Sequence, residues 1–304
     1  MVDTGDDQCA DEMNEVYSAA SHFDKVMVMV DTGDDQCADE MNEVYSAASH
    51  FDKVIASFQF NPNAYLESFY KTASEDSAMQ IVLFFLPGIL YRLPEKVKTA
   101  LDLGAGPTVY LPIVLRNKAL QIYTSDYARV NRDVLQSWIE NRSTFDWSEV
   151  CHWISSIEAV VEQPFAMQQQ ARDKVMAILE ANVHETPVIR SVHWRRDNCE
   201  IPQRFELVST IFCLEYSCET IDEYNRAVQG ACSLIEHWGY LIQGGVMDAT
   251  SYNFGGLSFK CHRLKRNHIE DALKANGMTV KPEEGFKFIT HDGIFLLISR
   301  KIMS

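Results

Sequence analysis

The first candidate for chemistry is the glycine-rich segment 102–108 (DLGAGPT), which follows a short apolar run and precedes a helical pattern. A glycine turn between a strand and a helix lets a ligand approach the backbone at the carboxyl edge of a sheet. Asp126 follows the next apolar run, where a carboxylate can accept hydrogen bonds from ribose hydroxyls. Val109 stands where the dinucleotide motif G-x-G-x-x-G has its third glycine. These residues predict a site for a nucleoside-containing cofactor and disfavour a nicotinamide-dependent dehydrogenase.

Two acidic residues could handle a proton at a second ligand. Glu215 follows the apolar run 205–212 (FELVSTIF), and Asp248 follows a predicted strand at residues 240–243. Carboxylates can hold an ammonium group and relay its proton, whereas a pyridine nitrogen needs only alignment. Each acid also has a purely structural interpretation, as a helix-start acid for Glu215 and as a turn residue for Asp248.

The elements that must position these residues alternate along the chain. Asn61 is expected to cap a first helix, and a second helix over residues 75–86 is expected to end or kink at Pro87-Gly88. Further strands are predicted at 100–103, 120–124, 205–212, 240–243, near 278–280 and at 294–299, and further helices through 114 and over 130–139, 163–179, 221–235 and 267–275. The alternation predicts a mainly parallel sheet covered on both faces, with an antiparallel edge at its last two strands. Residues 183–204 are the least regular and predict a surface excursion.

The N-terminal region carries a duplication. Residues 1–26 recur unchanged at residues 29–54, and each copy has seven acidic residues and one lysine. Two identical copies are not typical of a solenoid, and their charge favours disorder or weak helix over packing. We therefore assign residues 1–54 to a duplicated acidic segment, either disordered or artefactual, and residues 55–304 to one domain.

Composition excludes several classes of function. The net charge of −16 disfavours a nucleic-acid substrate, which normally requires a basic surface. The apolar run 79–91 is too short to cross a bilayer and is interrupted by Pro87-Gly88. The eight cysteines form no CxxC pair, so no metal site is expected. Because the start of the chain is acidic, without the basic and apolar regions of a signal peptide, we expect a cytosolic protein with no membrane association.

Five segments occur together in an order and spacing typical of one family. They are residues 60–70 (FNPNAYLESFY), 102–110 (DLGAGPTVY), 124–127 (TSDY), 145–147 (FDW) and 212–215 (FCLE). Over residues 58–301 the chain resembles the nicotinamide, phenylethanolamine and thioether (indolethylamine) N-methyltransferases, within the class I S-adenosylmethionine-dependent methyltransferases. The set is far more specific than a single motif.

The resemblance implies an α/β fold: a Rossmann-like, seven-stranded, mostly parallel sheet with helices on both faces and an N-terminal helical cover over the active site. It also implies a monomer that uses S-adenosyl-L-methionine, without a metal, to methylate a small amine or pyridine nitrogen. The residues assigned to the cofactor are Tyr65, Tyr70, Asp102, Gly104, Ala105, Gly106, Thr108, Tyr110, Asp126, Asn131, Asn182 and Val183. The resemblance makes Glu215 and Asp248 the candidate catalytic acids and assigns Tyr65, Tyr252 and Asp292 to the acceptor, although Asp292 is also a typical turn residue.

The chain departs from the family pattern at one cofactor contact. Ala181-Asn182-Val183 stands where the family has Cys-Asp-Val beside adenine, and the side-chain oxygen of Asn182 could still accept a hydrogen bond from an exocyclic amine. Glu215 matches the phenylethanolamine branch, whereas the nicotinamide branch has Asp, so the sequence leans towards an aliphatic or arylalkyl amine acceptor. The alternative from another class is a catalytically inactive member that binds a cofactor or a partner.

Overall fold

The computed structural model describes residues 61–70, 77–254 and 257–302. The duplicated segment and the boundary at residues 54–55 lie outside the described residues. The helices are α1 (Pro62–Phe69), α2 (Ser77–Leu90), α3 (Tyr110–Leu115), α4 (Arg129–Ile139), α5 (Ser148–Ile157), α6 (Pro164–Lys174), α7 (Ile221–Ser233) and α8 (Arg266–Ala275). The strands are β1 (Val97–Leu103), β2 (Ala119–Asp126), β3 (Val175–Ala181), β4 (Ile189–Arg195), β5 (Phe205–Ile211), β6 (Ile235–Val246), β7 (Ser251–Phe254), β8 (Leu257–Lys260), β9 (Lys287–His291) and β10 (Ile294–Arg300). Among these elements, no helix is both long and apolar enough to span a bilayer.

One eight-stranded sheet organises the domain, in the order β4-β3-β2-β1-β5-β6-β10-β9. Strands β3, β2, β1, β5 and β6 are parallel neighbours, while β4 and β10 pair antiparallel with β3 and β6. Strand order therefore reverses between β1 and β5, where open α/β sheets bind their ligands beyond the carboxyl ends of the strands. The predicted α/β class I fold is confirmed, with β4 as an eighth strand.

Helices cover both faces of this sheet. Buried residues of α7 and α8 pack with β1, β5 and β10 in one core cluster, including Tyr224, Val228, Leu273 and Phe295. Helices α2, α3, α5 and α6 lie outside that cluster and contact one another and the opposite face. The sheet is thus covered on both sides, and the carboxyl-terminal parts of β1, β2 and β5 are buried on both faces.

The N-terminal cover begins as the sequence predicts. The Oδ1 of Asn61 accepts a hydrogen bond from the backbone N–H of Ala64 at 3.1 Å, and this bond caps α1. The expected end of α2 at Pro87-Gly88 is wrong, because the helix continues through Pro87 to Leu90, and the alternative of a kink there stays a prediction. A proline inside a helix costs about 3 kcal/mol. The full burial of Val82, Leu86 and Ile89 offsets that cost.

Three other local predictions are wrong. The helix expected over residues 163–179 ends at Lys174, and the apolar run that follows is strand β3, because a short buried run does not distinguish helix from strand. The irregular region 183–204 contains β4, which pairs with β3. The strand expected near residues 278–280 is a single bridge between Met278 and Lys301, and the edge strand is β9.

Candidate active site

The glycine turn after β1 has the backbone geometry that only glycine adopts easily. Gly104 and Gly106 have φ values of 76° and 59°, in the left-handed region. The backbone N–H groups of Gly104 and Ala105 donate to the Ser125 carbonyl of β2 at 3.0 and 2.9 Å, and the Thr108 hydroxyl donates to the Ala105 carbonyl at 2.7 Å. The turn is therefore held rigidly by β2 and by its own hydroxyl.

The two glycines face different surroundings. A Cβ on Gly104 would lie 2.1 Å from the Sγ of Cys213, so the turn packs directly against the segment that follows β5. A Cβ on Gly106 would meet nothing within 4 Å. This open space is where a cofactor can approach the backbone.

Asp126, the last residue of β2, is the centre of a hydrogen-bond network. Its Oδ1 accepts from the Ala128 N–H at 2.8 Å and from the Asn131 amide at 3.0 Å, and its Oδ2 accepts from the Gly106 N–H at 2.8 Å. Burial raises the pKa of Asp126, although these donors and Arg132 act in the opposite direction. A carboxylate offers about four acceptor positions, so one remains on Oδ2.

The residues that surround Asp126 can hold the cofactor expected from the sequence. The carbonyl oxygen of the Asn131 side chain is buried and has no hydrogen-bond partner among the described residues. Asp102 is buried at the end of β1, and burial together with the carboxyl of Asp126 holds its pKa well above the ordinary value. The space at Gly106, the free position on Asp126 and the unpaired oxygen of Asn131 fit a nucleoside with ribose hydroxyls.

Aromatic residues of the cover and of α3 meet beside this network. Tyr70 is buried, its ring stacks on that of Tyr110 with centroids 6.0 Å apart, and its hydroxyl donates to the Sδ of Met79 at 3.2 Å. Burial raises the pKa of Tyr110 well above the ordinary value, with further contributions from Asp102, Tyr65 and Glu215. The structure thus brings the rings of Tyr65, Tyr70 and Tyr110 together, with centroids 6.1 Å apart for Tyr65 and Tyr70.

The segment after β3 is arranged differently from the expectation. The Oδ1 of Asn182 accepts from the His184 N–H at 3.0 Å, and its amide donates to Glu185 at 2.9 Å. The Asn182 side chain therefore stabilises its own turn in this structure. Val183 is buried in the core, and its carbonyl would lie 2.5 Å from a Cβ on Gly230. Adenine contacts by Asn182 and Val183 stay predictions.

Glu215 is a buried acid with unused bonding capacity. Its side chain is 2% exposed, and Oε1 accepts from the Val246 N–H at 3.2 Å. Its Oε2 has no hydrogen-bond partner among the described residues. Burial raises the pKa of Glu215 to about 8, against the opposing backbone N–H groups of Glu215 and Val246. An unpaired buried carboxyl oxygen is costly in a folded protein and points to a ligand that completes it.

Gly245 allows the carboxyl of Glu215 to lie against β6, since a Cβ at residue 245 would lie 2.2 Å from Oε1 and 2.7 Å from Oε2. Gly245→Ala should therefore displace the carboxyl by more than an ångström. We expect kcat/KM for the acceptor to fall about 100-fold, as misplacement of a reacting group by about 1 Å can cause.

Steady-state kinetics and calorimetric titration with S-adenosylhomocysteine test this effect together. The matched control is Gly88→Ala in α2, where a Cβ meets nothing within 4 Å. If Gly245→Ala turns over acceptor like the control, the close packing of Glu215 on β6 has no functional role.

A second aromatic group faces Glu215. The ring of Tyr252 lies 4.2 Å from that of Tyr216, which in turn stacks on Phe212 at 6.5 Å. Burial raises the pKa of Tyr252, with contributions from Cys261, Tyr65 and Glu215. The sequence assigned no site role to Tyr216, Phe212, Cys213 or Gly245. The available signal was the FCLE segment at 212–215, which contains Phe212 and Cys213 and directly precedes Tyr216.

Two predicted site acids lie at the surface. The Asp248 side chain is 60% exposed and pairs with Arg263 at 3.2 Å, and Asp292 is 53% exposed beside His291. Both residues have positive φ, of 63° and 48°, in turns. Their structural interpretation as turn residues accounts for these positions, and the structure does not bring either carboxyl into contact with Glu215. Their catalytic and acceptor roles stay predictions.

Comparisons with known proteins identify the family of this chain. Residues 49–302 match the model of the NNMT/PNMT/TEMT family. The chain is 63% identical over 245 residues to a nicotinamide N-methyltransferase from Caenorhabditis elegans, covering 80% of this chain and 90% of that protein. It is 27% identical to the nicotinamide N-methyltransferase of Homo sapiens, covering 80% of this chain and 93% of that protein. It is 24% identical to the indolethylamine N-methyltransferase of Mus musculus, with the same two coverages.

Proposed function

We propose that this chain, which belongs to the NNMT/PNMT/TEMT family, methylates the ring nitrogen of nicotinamide or of a closely similar pyridine. The resemblance found in the sequence is confirmed. The chain is an S-adenosylmethionine-dependent N-methyltransferase that acts on a small-molecule nitrogen acceptor. The relative with 63% identity is named for nicotinamide, and this supports a pyridine acceptor over the arylalkyl amine that Glu215 alone favours.

The observation that carries the proposal is that Glu215 is buried while Asp248 is at the surface, paired with Arg263. An amine arrives protonated and must lose its proton before it attacks, for which a pair of acids at the acceptor site is well suited. A pyridine nitrogen is neutral at physiological pH and needs no base. One buried carboxyl with a free oxygen is sufficient to orient such an acceptor.

When bound, S-adenosylmethionine supplies an electrophilic methyl group on a sulfonium whose positive charge passes to the acceptor nitrogen. Glu215 accepts a hydrogen bond from the acceptor's amide N–H through Oε2, and its ionised form stabilises positive charge on the ring. The rings of Tyr65 and Tyr252 provide aromatic faces that favour a planar cation. Helix α1, which carries Tyr65, excludes water from the reacting atoms.

The cofactor side of the site is formed by residues already described. Asp126 would hold the ribose through its open acceptor position, and Gly104, Ala105 and Gly106 would present the turn to the cofactor. Tyr110 and Asn131 would supply further polar groups. Asp126 at the end of β2 and Glu215 after β5 flank β1 at the switch point, so the cofactor and the acceptor would be held by residues on either side of that strand.

An arylalkyl or aliphatic amine is the second candidate acceptor. The observation that favours it is the pKa of Glu215, which burial raises to about 8, because such a carboxylate is basic enough to take a proton from an ammonium near neutral pH. A catalytically inactive member is not favoured by any feature of the site: the glycine turn, Asp126 and Glu215 are all in place.

Turnover of an acceptor panel tests the proposal. We expect the purified enzyme with isotopically labelled S-adenosylmethionine to show its highest kcat/KM with nicotinamide, above phenylethylamine, tryptamine and a thioether. The physical reason is that nicotinamide needs no deprotonation and can bond to Glu215. A preference of tenfold or more for an amine would reject nicotinamide and support the second candidate. Turnover of none of these acceptors would support the inactive alternative.

The assembly and location of the enzyme are also part of the proposal. We expect a monomer in the cytosol, acting on neither nucleic acid nor membrane. Light scattering coupled to gel filtration measures the assembly, and cell fractionation measures the location.

A further inference from the structure

Tyr216 lies directly after Glu215 in the turn between β5 and α7. The chain leaves β5 at Phe212 with a φ of 54°, a left-handed conformation that is rare for a bulky residue. The turn is closed by the Ser217 N–H, which donates to the Cys213 carbonyl at 3.0 Å. Strained backbone of this kind is typical of sites where side-chain direction matters. Two consecutive side chains, Glu215 and Tyr216, therefore extend from this turn, which follows β5 at the carboxyl edge of the sheet.

The ring of Tyr216 is held on two sides. Its centroid lies 4.2 Å from that of Tyr252, and it stacks on Phe212 with an interplanar angle of 18°. These distances leave no space for a ligand between Tyr216 and Tyr252. The two tyrosines therefore form one continuous aromatic wall rather than two faces that enclose a substrate.

The hydroxyl of Tyr216 makes no hydrogen bond to the described part of the chain. Burial raises its pKa, and Glu215, Tyr65 and Tyr252 add to that effect. Tyrosine hydroxyls in such places usually have a partner. A hydroxyl donor and an unpaired acceptor oxygen, the Oε2 of Glu215, on consecutive side chains can together bind a group with both an N–H and a C=O.

We propose that Tyr216 is an acceptor-binding residue: its hydroxyl donates to the carbonyl of the acceptor's amide group, and its ring limits the acceptor to a single ring. The proposed hydrogen bond from Tyr216 rests on the proposed function, because it requires an amide on the acceptor. The size limit set by the Tyr216 ring does not, because it applies to any aromatic acceptor. Glu215 then accepts from the N–H of the acceptor's amide group, and Tyr216 donates to the C=O of the same group.

Tyr216→Phe removes the hydroxyl and keeps the ring. KM for nicotinamide should rise about tenfold, the effect of losing a hydrogen bond of about 1.4 kcal/mol, while kcat stays within about twofold. KM for 3-methylpyridine, which lacks the amide, should not change. The matched control is Tyr91→Phe, whose side chain is 90% exposed, and it should leave both constants unchanged. An equal rise in KM for nicotinamide and 3-methylpyridine, or no rise in KM for nicotinamide, would overturn the hydrogen-bond assignment.

Tyr216→Ala removes the wall. The ratio of kcat/KM for quinoline to that for nicotinamide should rise about tenfold or more, because a ring-sized space opens beside Tyr252. A thermal shift with S-adenosylhomocysteine establishes that the variant is folded. If it is not folded, Tyr216→Leu is measured in its place. An unchanged ratio of kcat/KM for quinoline to that for nicotinamide in a folded variant would show that Tyr216 does not limit acceptor size.

Failure of the proposed function is visible separately. If the wild-type enzyme does not methylate nicotinamide, the proposed function is wrong. The aromatic wall is then tested by measuring kcat/KM of Tyr216→Ala for phenylethylamine and for the bicyclic tryptamine. If the ratio of these two values is the same as in the wild type, the wall does not limit acceptor size.

Discussion

Asp126→Asn is expected to weaken the binding of S-adenosylhomocysteine by about 100-fold, since a hydrogen bond to a charged group contributes about 1.5–3 kcal/mol. In the native site the carboxylate accepts three hydrogen bonds from the chain, two on Oδ1 and one on Oδ2. If the asparagine oxygen keeps the two donors on the Oδ1 side, its amide nitrogen replaces Oδ2. That nitrogen then faces the Gly106 N–H, so two donors oppose each other where the ribose should bind.

Calorimetric titration measures this affinity, and the matched control is Asp271→Asn. Asp271 is 70% exposed on α8 and pairs with Lys274 within the same helix, so its neutralisation should leave the affinity unchanged. Equal affinity of Asp126→Asn and wild type would remove Asp126 from the cofactor site. The Asn variant is preferred to alanine, because alanine would leave three donors without a partner and would confuse lost binding with lost stability.

Glu215→Gln is expected to lower kcat for nicotinamide about 100-fold, the usual effect of removing a preorganised electrostatic group. Glutamine has one oxygen for both the Val246 N–H and the acceptor's amide N–H, so one of these donors faces the new amide NH2 and KM should rise as well. In the wild type kcat/KM should rise with pH and level off near or below about 8, because the ionised form is the active one and a neighbouring sulfonium favours ionisation. The glutamine variant has no carboxyl to titrate, and its profile should lack that rise.

A pH series of initial rates, from about pH 6 to pH 10, measures both effects. Glu283→Gln, an exposed acid in the Pro282–Glu284 turn, is the control and should follow the wild type. With an amine acceptor, Glu215→Gln should lose nearly all turnover, because no carboxylate remains to take the proton from the ammonium group. Near wild-type turnover of Glu215→Gln with every acceptor would exclude Glu215 from the mechanism.

The cofactor half of the site could be predicted from local sequence, because its determinants are local. Gly104 and Gly106 follow from the turn that joins β1 to α3, and Asp126 follows from its place at the end of the next strand. Parallel strands present their carboxyl ends at one edge, so two correct strand ends were sufficient to bring these residues together. The position of Glu215 after β5 was predictable for the same reason.

The acceptor half depends on contacts that no local pattern contains. Asp248 is turned to the surface by a left-handed backbone and an ion pair with Arg263, which lies on a separate segment. The closeness of Tyr216 to Tyr252 depends on how the β7–β8 hairpin packs, and the single-residue spacing from Glu215 gives no direction for the ring. The change from α6 to β3 at Lys174 and Val175 is likewise decided by pairing with β2 rather than by periodicity.

The close approach of Gly245 to Glu215 makes the identities of two distant positions depend on each other. A glutamate at 215 needs a residue without a side chain at 245, whereas a shorter acid would withdraw from β6 and leave space there. Substitutions at these positions should therefore be strongly non-additive. A relative that carries aspartate at the position of Glu215 has space for alanine at that of Gly245, whereas a relative that keeps the glutamate does not.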